Sequence, residues 1–340
     1  MTNNDNNAAL SASATDATVM PRHVVLIVFD GVEAIDVAGP ASAISKAADC
    51  VPGAYRLTIA SPSGGDVKTN AGLTIATTAA LHALTGAIDT LIVAGGDEPA
   101  LRAAITAQGV GQWVARTAPD VRRVASVCTG AFALAAAGLL DGRQCTTHRN
   151  ACAMLQSMFR ETTVLHDRIY VCDGPVWTSA GVTTGLDMTL AMIAADLGQA
   201  VALDIARNLA VFMVRGSTDQ QESRALAAQA KAAPRMQELV AWMMGNLTED
   251  LSVEALARRA CMSPRNLART FMAETGSTPA AFVSGARVDR AAALLVHTDW
   301  PQEKIARESG FQSVDAFQRA FGRQMGATPD VYRSKGGLSS

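Results

Sequence analysis

The sequence lacks any apolar run approaching the roughly 20 residues needed to cross a bilayer. Its first 20 residues also lack the basic start and apolar block of a secretory signal, and they predict a polar, disordered tail. The 6 cysteines are irregularly spaced, without a CxxC pair or a His/Cys cluster of zinc-site spacing. These absences predict a cytoplasmic protein with free thiols, no bound metal and no cofactor.

Charge is scarce and unevenly distributed. Charged residues make up 18% of the 340 residues and the net charge is −2. Residues 1–234 hold 16 Lys and Arg against 20 Asp and Glu, whereas residues 235–340 hold 13 against 11. A DNA-binding domain can be nearly neutral overall and basic on one face, so the positions of the arginines matter more than this total.

Apolar runs of strand length alternate with helix-like stretches over the first 200 residues. The continuous apolar runs are typical of parallel strands buried on both faces, and they lie at 23–29, 55–61, 89–96 and 121–127. Helix-like stretches lie between and after them, at 35–48, 99–117 and 129–138. Shorter strands follow at 143–148, 169–174 and 176–181, before a helix at 182–197. The pattern predicts an open α/β sandwich with a mostly parallel sheet, in which ligands bind at the carboxyl ends of the strands.

A cysteine lies at one of these strand ends. Cys128 follows a buried strand and precedes an alanine-rich helix, where unpaired backbone amides and the helix dipole favour the thiolate. Gly95 and Gly96 close another strand, and their amides together with that of Thr129 are candidates for an oxyanion hole.

An acidic loop follows the first strand and carries Asp30, Glu33 and Asp36. One of these carboxyl groups could hydrogen-bond the thiol, although Asp36 could equally cap the next helix. Each candidate also has a structural interpretation: a cysteine can be a small buried hydrophobe, and His148 can be a hydrogen-bonded structural residue. The residues alone leave these alternatives open.

Four motifs in order carry a family resemblance: DGVEAIDVAGP, LIVAGGDEP, SVCTGAFALAAAGLLDGRQCTTH and TSAGVTTGLDMTLAMIAADLG. Residues 22–200 resemble the class I glutamine-amidotransferase-like superfamily, and within it the PfpI-like branch that includes isonitrile hydratases. The resemblance implies that Cys128 occupies the nucleophile position and Asp36 the acidic position beside it. Thr129 stands where protease-like members have histidine, and Arg149 follows His148 where relatives often have tryptophan. A hydrolytic Cys–His pair is therefore not indicated.

Two short helices joined by a three-residue turn follow from residue 252. Ser252 is placed to cap the first helix, and the second begins at Pro264 and ends before Gly276. Three polar side chains near the start of the second helix are predicted to point outward: Arg265, Asn266 and Arg269. This is the helix-turn-helix plan, in which arginine pairs with guanine and asparagine with adenine. An all-α interaction module with solvated arginines is the alternative.

The same plan recurs after a connecting helix at 279–298. The segments share an Ala-Arg pair, a turn, the spacing FxxxxG and a Thr-Pro pair, which indicates an internal repeat. The outward residues of the second recognition helix are predicted to be Ser313, Asp315, Gln318 and Arg319. Residues 236–334 resemble the AraC/XylS DNA-binding domain, which implies two recognition helices in successive major grooves about 34 Å apart.

Together the two halves resemble the GlxA-type regulators, and the resemblance implies a transcriptional regulator rather than an enzyme. The predicted division is a tail at 1–20, a ligand-sensing domain at 21–200, a helical linker at 201–235, a DNA-binding domain at 236–334 and a tail at 335–340. A small, nitrogen-containing metabolite is expected to bind at the residues Asp36, Gly95, Gly96, Cys128, Thr129 and His148.

The expected partners are double-stranded DNA, this effector, a second copy of the chain and, for an activator, RNA polymerase. No membrane is expected among them. Two alternatives remain at Cys128: a cysteine enzyme acting on a nitrile or amide as a hydratase or hydrolase, and a redox sensor whose thiolate is reversibly oxidised.

Overall fold

The structure is a computed structural model that describes residues 20–211, 215–217, 221 and 233–334. Almost all of the tail predicted at 1–20, the whole tail at 335–340 and much of the linker predicted at 201–235 lie outside these residues. The predictions for those segments therefore stay predictions.

Eleven strands form within the described residues. They are β1 (Arg22–Ile27), β2 (Tyr55–Ser61), β3 (Val67–Lys68), β4 (Thr74–Ile75), β5 (Ala79–Ala80), β6 (Thr90–Val93), β7 (Arg123–Val127), β8 (Gln144–Cys145), β9 (Thr163–Val164), β10 (Tyr170–Asp173) and β11 (Val176–Ser179). Seven of them form one sheet in the order β10-β11-β7-β6-β1-β2-β5. Only β10 runs antiparallel to its neighbour in this sheet.

Fourteen helices form within the same residues. They are α1 (Ala34–Cys50), α2 (Glu98–Thr106), α3 (Val110–Thr117), α4 (Ala131–Ala136), α5 (Cys152–Met158), α6 (Thr184–Leu197), α7 (Gln199–Asn208), α8 (Pro234–Gly245), α9 (Val253–Arg259), α10 (Pro264–Thr275), α11 (Pro279–His297), α12 (Gln302–Glu308), α13 (Val314–Met325) and α14 (Pro329–Ser334). No helix of the described part is long and apolar enough to cross a membrane.

The large sheet has an apolar core on each face. One core joins alternate residues of β1 to α1, α6 and α7, and the other joins the intervening residues to α2, α3, α4 and α5. The apolar runs of the sequence lack alternation because both faces of the strands are covered. The predicted α/β sandwich with a mostly parallel sheet is confirmed.

The structure differs from the predicted elements in several places. The predicted helix 99–117 is two helices, α2 and α3, because Gly109 adopts a left-handed conformation with φ 74° between them. The predicted strand 143–148 shortens to β8, which pairs with β9 outside the large sheet. The buried face of α7 packs into the same core as α1 and α6. Residues 201–208, which the prediction assigned to the linker, therefore contribute to the core of the first domain.

The carboxyl-terminal helices form two units with separate cores. Ser252 caps α9 by accepting a hydrogen bond from the Ala255 amide, and α10 begins at Pro264 and ends before Gly276, as predicted. One core holds α8 to α10 and the start of α11, and the other holds the rest of α11 with α12 to α14. The predicted all-α domain with two helix-turn-helix units is confirmed.

Candidate functional site

The chain turns sharply at the end of β7, where residues 128–130 form a single turn of 3₁₀ helix before α4. Cys128 adopts φ 56°, in the left-handed region that side chains other than glycine rarely occupy. Two glycines allow this turn to pack closely. A Cβ atom on Gly181 would lie 2.2 Å from the Cβ of Cys128, and one on Gly130 would lie 2.3 Å from the carbonyl oxygen of Val93.

Asp36 lies beside Cys128 and is fully buried in the first turn of α1. Its Oδ1 accepts a hydrogen bond from the Val182 amide at 2.6 Å, its Oδ2 accepts one from the Gly95 amide at 3.2 Å, and the Cys128 thiol donates to the same carboxyl group. Glu33, not Asp36, caps α1. The alternative interpretation of Asp36 as a helix cap is therefore wrong, and Asp36 instead connects three segments of the site.

A second strained residue lies on the other side of Asp36. Val182 adopts φ 54°, which is a strong outlier for a β-branched side chain. Both strained residues hydrogen-bond the carboxyl group of Asp36: Cys128 through its thiol and Val182 through its backbone amide. Strain of this kind persists only where the surrounding structure fixes it, and it concentrates at functional sites.

The glycine amides at the end of β6 already have partners. The Gly95 amide donates to Asp36, and the Gly96 amide donates to Oγ1 of Thr129 at 3.0 Å. The Thr129 hydroxyl in turn donates to the Gly96 carbonyl at 3.1 Å. The prediction of an oxyanion hole is therefore wrong for the amides of Gly95 and Gly96. Side chains of the protein occupy the positions at which an oxyanion would bind to them.

The surroundings of the Cys128 thiol disfavour its ionisation. Burial, and after it the negative charge of Asp36, raises the pKa of Cys128 to about 12. Burial also raises the pKa of Asp36 to about 6, although the hydrogen bond from Val182 acts in the opposite direction. Desolvation thus acts against the thiolate predicted at this turn, and the backbone hydrogen bond from Thr129, which favours the thiolate, has a smaller effect on the pKa.

Replacing Asp36 with asparagine should lower the pKa of Cys128, because it removes the nearby negative charge while burial remains. We expect a value below about 12 but still above the ordinary value of 9.0. The measurement is the pH dependence of alkylation at each cysteine, read by mass spectrometry, with exposed Cys261 as the internal control. An unchanged or higher pKa for Cys128 in the variant would show that Asp36 does not act on the thiol electrostatically.

The remaining predicted residues lie around this pair with different degrees of exposure. Gly96, Thr129 and His148 are half-buried, whereas Asp36 and Gly95 are enclosed. The backbone oxygen of His148 accepts hydrogen bonds from the Ala151 amide at 2.7 Å and from the Cys152 thiol at 3.6 Å. The prediction that Asp36 and Gly95 contact a ligand directly needs revision, because both are buried and bonded within the protein.

Three residues of the site were not predicted from the sequence. The hydroxyl of Thr147 donates to the carbonyl oxygen of Cys128 at 2.8 Å, Gly181 gives the turn the space it needs, and Val182 bonds Asp36. The TSAGVTTG motif contains two of them, but a motif does not show which of its backbone amides points inward.

The two recognition helices present their predicted residues to solvent. Arg265 and Arg269 are exposed on α10 and Asn266 is half-buried, while Leu267 and Phe271 on the opposite side are fully buried. The residues predicted to point outward in the second unit are also exposed: Ser313, Asp315, Gln318 and Arg319.

Several of these side chains already have hydrogen-bond partners within the protein. Arg269 donates to Oδ1 of Asn266 at 3.0 Å, and Gln318 donates to Oε1 of Gln302 at 2.8 Å. The hydroxyl oxygen of Ser313 accepts from the Ala316 amide as the N-cap of α13. Ser313 therefore has a structural role at the start of the helix, in addition to any contact with DNA.

The described residues contain no group of three or more His, Cys, Asp or Glu that could hold a metal ion.

Comparison with known proteins finds two families along the chain. The DJ-1/PfpI family matches residues 22–195, and a helix-turn-helix domain matches residues 256–335. The HTH-type transcriptional regulator CdhR of Pseudomonas aeruginosa is 30% identical over 280 residues, covering 82% of this chain and 82% of the relative. The HTH-type transcriptional regulator GlxA of Rhizobium meliloti is 30% identical over 287 residues, covering 83% and 86% respectively.

Two solved structures resemble part of the chain. The crystal structure of a THiJ/PfpI family protein from Pseudomonas syringae superimposes with a TM-score of 0.53 at 25% identity, covering 70% of this chain and 94% of that protein. The crystal structure of an AraC family transcriptional regulator from Pseudomonas putida gives a TM-score of 0.50 at 20% identity, covering 56% and 100% respectively. At that identity the second match supports the fold alone.

Proposed function

The chain belongs to the DJ-1/PfpI family and is a DNA-binding transcriptional regulator of the AraC type, and on this basis we propose that a small nitrogen-containing metabolite bound beside Cys128 controls its action on DNA. The strained pair Cys128 and Val182, hydrogen-bonded through one buried carboxyl group, is the observation that carries the proposal. The surrounding contacts hold the turn in a locally unfavourable conformation, and a ligand that changes those contacts can shift the balance toward a second conformation.

The charge of the site favours a ligand with a cationic nitrogen. The half-buried carboxylate of Glu33 lies close enough to act electrostatically on Asp36 and contributes to raising its pKa. A positive group beside these two carboxyls would offset their mutual repulsion. We propose that the ligand contacts Cys128, Thr129, Gly96 and His148.

Asp36 and Gly95 act indirectly in this proposal. Both are buried, and their hydrogen bond fixes the position of Asp36 against the Cys128 turn. They are positioning residues, which would affect ligand binding only through the position of the Cys128 thiol.

Contacts of the segment after α7 support a route from this site toward the DNA-binding domain. Arg215 donates to Oγ1 of Thr183 at 2.8 Å and to Oδ2 of Asp187 at 2.7 Å. Gln221 donates to the carbonyl oxygen of Thr147, the residue whose hydroxyl bonds Cys128. We propose that ligand binding displaces these loops and thereby the segment that precedes α8.

The protonated thiol argues for sensing rather than turnover. Nucleophilic cysteines react as thiolates, and a thiol with a pKa of about 12 is almost entirely protonated at neutral pH. We therefore propose that the domain binds its ligand without converting it, as opposed to the hydratase and redox-sensor alternatives. An enzyme would release product from a nitrile or amide, and a sensor of oxidation would lose DNA affinity reversibly on treatment with peroxide.

The second half of the proposal concerns DNA. We propose that α10 and α13 enter successive major grooves on one face of the duplex, and that the protein acts in the cytoplasm as a homodimer. A dimer doubles the number of recognition helices, which raises both affinity and specificity for a promoter. If the protein activates transcription, RNA polymerase is a further partner.

Replacing Arg265 with alanine should weaken a specific DNA site by about 1–3 kcal/mol and relax the preference at one base position. The matched control is Arg258→Ala, which removes the same charge from the exposed surface of α9. The measurement is binding to a duplex selected by the intact protein and to random duplex at one salt concentration. If both variants lose affinity equally for the two duplexes, Arg265 contacts phosphate rather than a base.

The proposal that a ligand binds beside Cys128 is tested by mapping DNA occupancy and transcripts in cells for the intact protein, for Cys128→Ser and for Glu33→Gln. We expect all three to occupy the same sites and only the intact protein to respond fully. Titration of the purified protein with small primary amines and their neutral amide counterparts then tests the charge argument, because Glu33→Gln should weaken only the amines. If Cys128→Ser and the intact protein give the same transcripts, the Cys128 site does not sense a ligand.

A further inference from the structure

The connecting helix α11 is divided between the cores of the two helix-turn-helix units. Its first half contributes Phe282, Val283 and Ala286 to the core of the first unit, and its second half, from Val288 onward, contributes to the core of the second. Arg287 is the residue at which one core ends and the other begins.

Arg287 reaches across this boundary to the backbone of the first unit. Its Nε donates to the carbonyl oxygen of Leu247 at 2.9 Å, and its Nη2 donates to that of Glu249 at 3.2 Å. Both carbonyls belong to the segment between α8 and α9. One guanidinium group therefore fixes this segment against the connecting helix.

Gly310 of the second unit lies against the same carbonyl group. It follows α12 with φ 87°, and a Cβ atom there would lie 1.9 Å from the Leu247 oxygen and 2.8 Å from Nε of Arg287. Leu247, Arg287 and Gly310 thus form one contact between the first unit, the connecting helix and the second unit. We call these three residues the junction.

The internal repeat shows why position 310 is glycine. Cys261 is the equivalent residue of the first unit: its amide bonds Arg258 as that of Gly310 bonds Arg307, and it too has a positive φ, of 48°. Cys261 is exposed and carries a side chain despite this conformation. The turn alone therefore tolerates a side chain, and the excluded space at Gly310 comes from the approach of Leu247.

A cleft lies along the boundary between the two units. The cleft has a volume of about 390 Å³ and separates Asp250 and Leu251 of the first unit from Phe311 and Arg323 of the second. Side chains do not fill this cleft, so the junction contacts lie beside open space between the units.

We infer that Arg287 and Gly310 are positioning residues that lock the two helix-turn-helix units in one relative orientation and so set the spacing at which α10 and α13 read DNA. The inference rests on the proposed reading of two successive grooves. A composite site is bound tightly only when both helices meet their grooves in register, which a locked junction provides before binding.

The test uses the full-length protein and a duplex that the intact protein selects from a random pool. Affinity is measured for this duplex and for one with a single base pair inserted between the two protected segments. We expect the insertion to reduce the DNA affinity of the intact protein by about tenfold. We expect the same insertion to reduce the affinity of Arg287→Met by less than about threefold. Arg290→Met is the matched control, because Arg290 bonds the Glu308 carbonyl without contacting the first unit.

Two outcomes separate the inference from the function on which it rests. If the intact protein tolerates the insertion, the reading of two grooves is wrong and the inference fails with it. If the intact protein discriminates and a folded Arg287→Met discriminates equally well, the two grooves are read but the junction does not set their spacing.

A second pair of variants tests Gly310 by thermal unfolding. We expect Gly310→Ala to lower the Tm by at least about 5 °C and Gly276→Ala to lower it by less, because both positions have a positive φ but only a Cβ at position 310 would meet a carbonyl group. Equal shifts for the two variants would overturn the claim that docking of the units, rather than the turn, requires glycine.

Discussion

Replacing Asp196 with alanine should destabilise the first domain by about 3–5 kcal/mol, because it leaves a buried guanidinium without its partner. Asp196 lies on α6 with a side chain that is only 3% exposed, and it bonds Arg123, which is 7% exposed, at 3.1 Å. It also accepts from the Tyr55 hydroxyl at 2.8 Å and from Arg122 at 2.9 Å. One carboxylate therefore joins α6 to the strands β2 and β7.

The matched control is Asp204→Ala on α7. Its ion pair with Arg207 is largely exposed, so its loss should change the free energy of unfolding by less than about 1 kcal/mol. Chemical denaturation of the purified protein measures both variants. Similar losses for Asp196→Ala and Asp204→Ala would mean that the buried network contributes no more than a surface pair.

The same carboxylate gives a pH dependence with a definite sign. Burial acts to raise the pKa of Asp196, but the hydrogen bonds from Arg122 and Tyr55 lower it below the ordinary value of 3.8. The stabilisation from Asp196 is thus fully present above that value and is lost as pH falls through the lower pKa of the folded state. The acid unfolding of Asp196→Ala should accordingly depend less steeply on pH than that of the intact protein.

Architecture was predictable from the sequence because it depends on local pattern. Apolar runs without alternation indicated strands covered on both faces, and cap residues such as Ser252, Pro264 and Gly276 indicated helix ends. The internal repeat indicated two similar units. One exception was the helix predicted at 99–117, where the left-handed conformation of Gly109 interrupts a pattern that is typical of a single helix.

The chemistry of the Cys128 site was less predictable because it depends on burial and on backbone direction. A strand-to-helix turn suggested a thiolate, but whether a helix end or desolvation controls a thiol depends on how deeply it lies. Likewise, Gly95 and Gly96 suggested an oxyanion hole, yet their amides point at Asp36 and Thr129. The sequence identified the residues that meet, and only the structure gave the direction of each hydrogen bond.

The junction at Gly310 illustrates the same limit in the second domain. The repeat aligned the two turns, but nothing local distinguishes the space around Gly310 from that around Cys261. The difference arises from Leu247, more than 60 residues before Gly310 in the chain.

Replacing Gly181 with alanine should remove the conformation of the Cys128 turn. The added methyl group would lie 2.2 Å from the Cβ and 2.7 Å from the Sγ of Cys128, and the rigid turn cannot yield because Gly130 already packs against β6. We expect the variant to lose about 1–3 kcal/mol of stability from overpacking, in addition to the strain of a side chain at φ 96°. Any response of the protein to its effector should be lost with it.

Gly198→Ala separates the two causes. Gly198 has a similar φ of 91°, but no atom lies within 4 Å of the position its Cβ would take. Gly198→Ala therefore adds the backbone strain without a steric clash. Gly198 lies at the start of α7, where the segment toward the DNA-binding domain begins. Chemical denaturation and a transcription reporter should show a larger stability loss for Gly181→Ala and a lost response in that variant alone. Equal stability losses would mean that the Cys128 turn can move aside, and the strained conformation would then not be fixed by its surroundings.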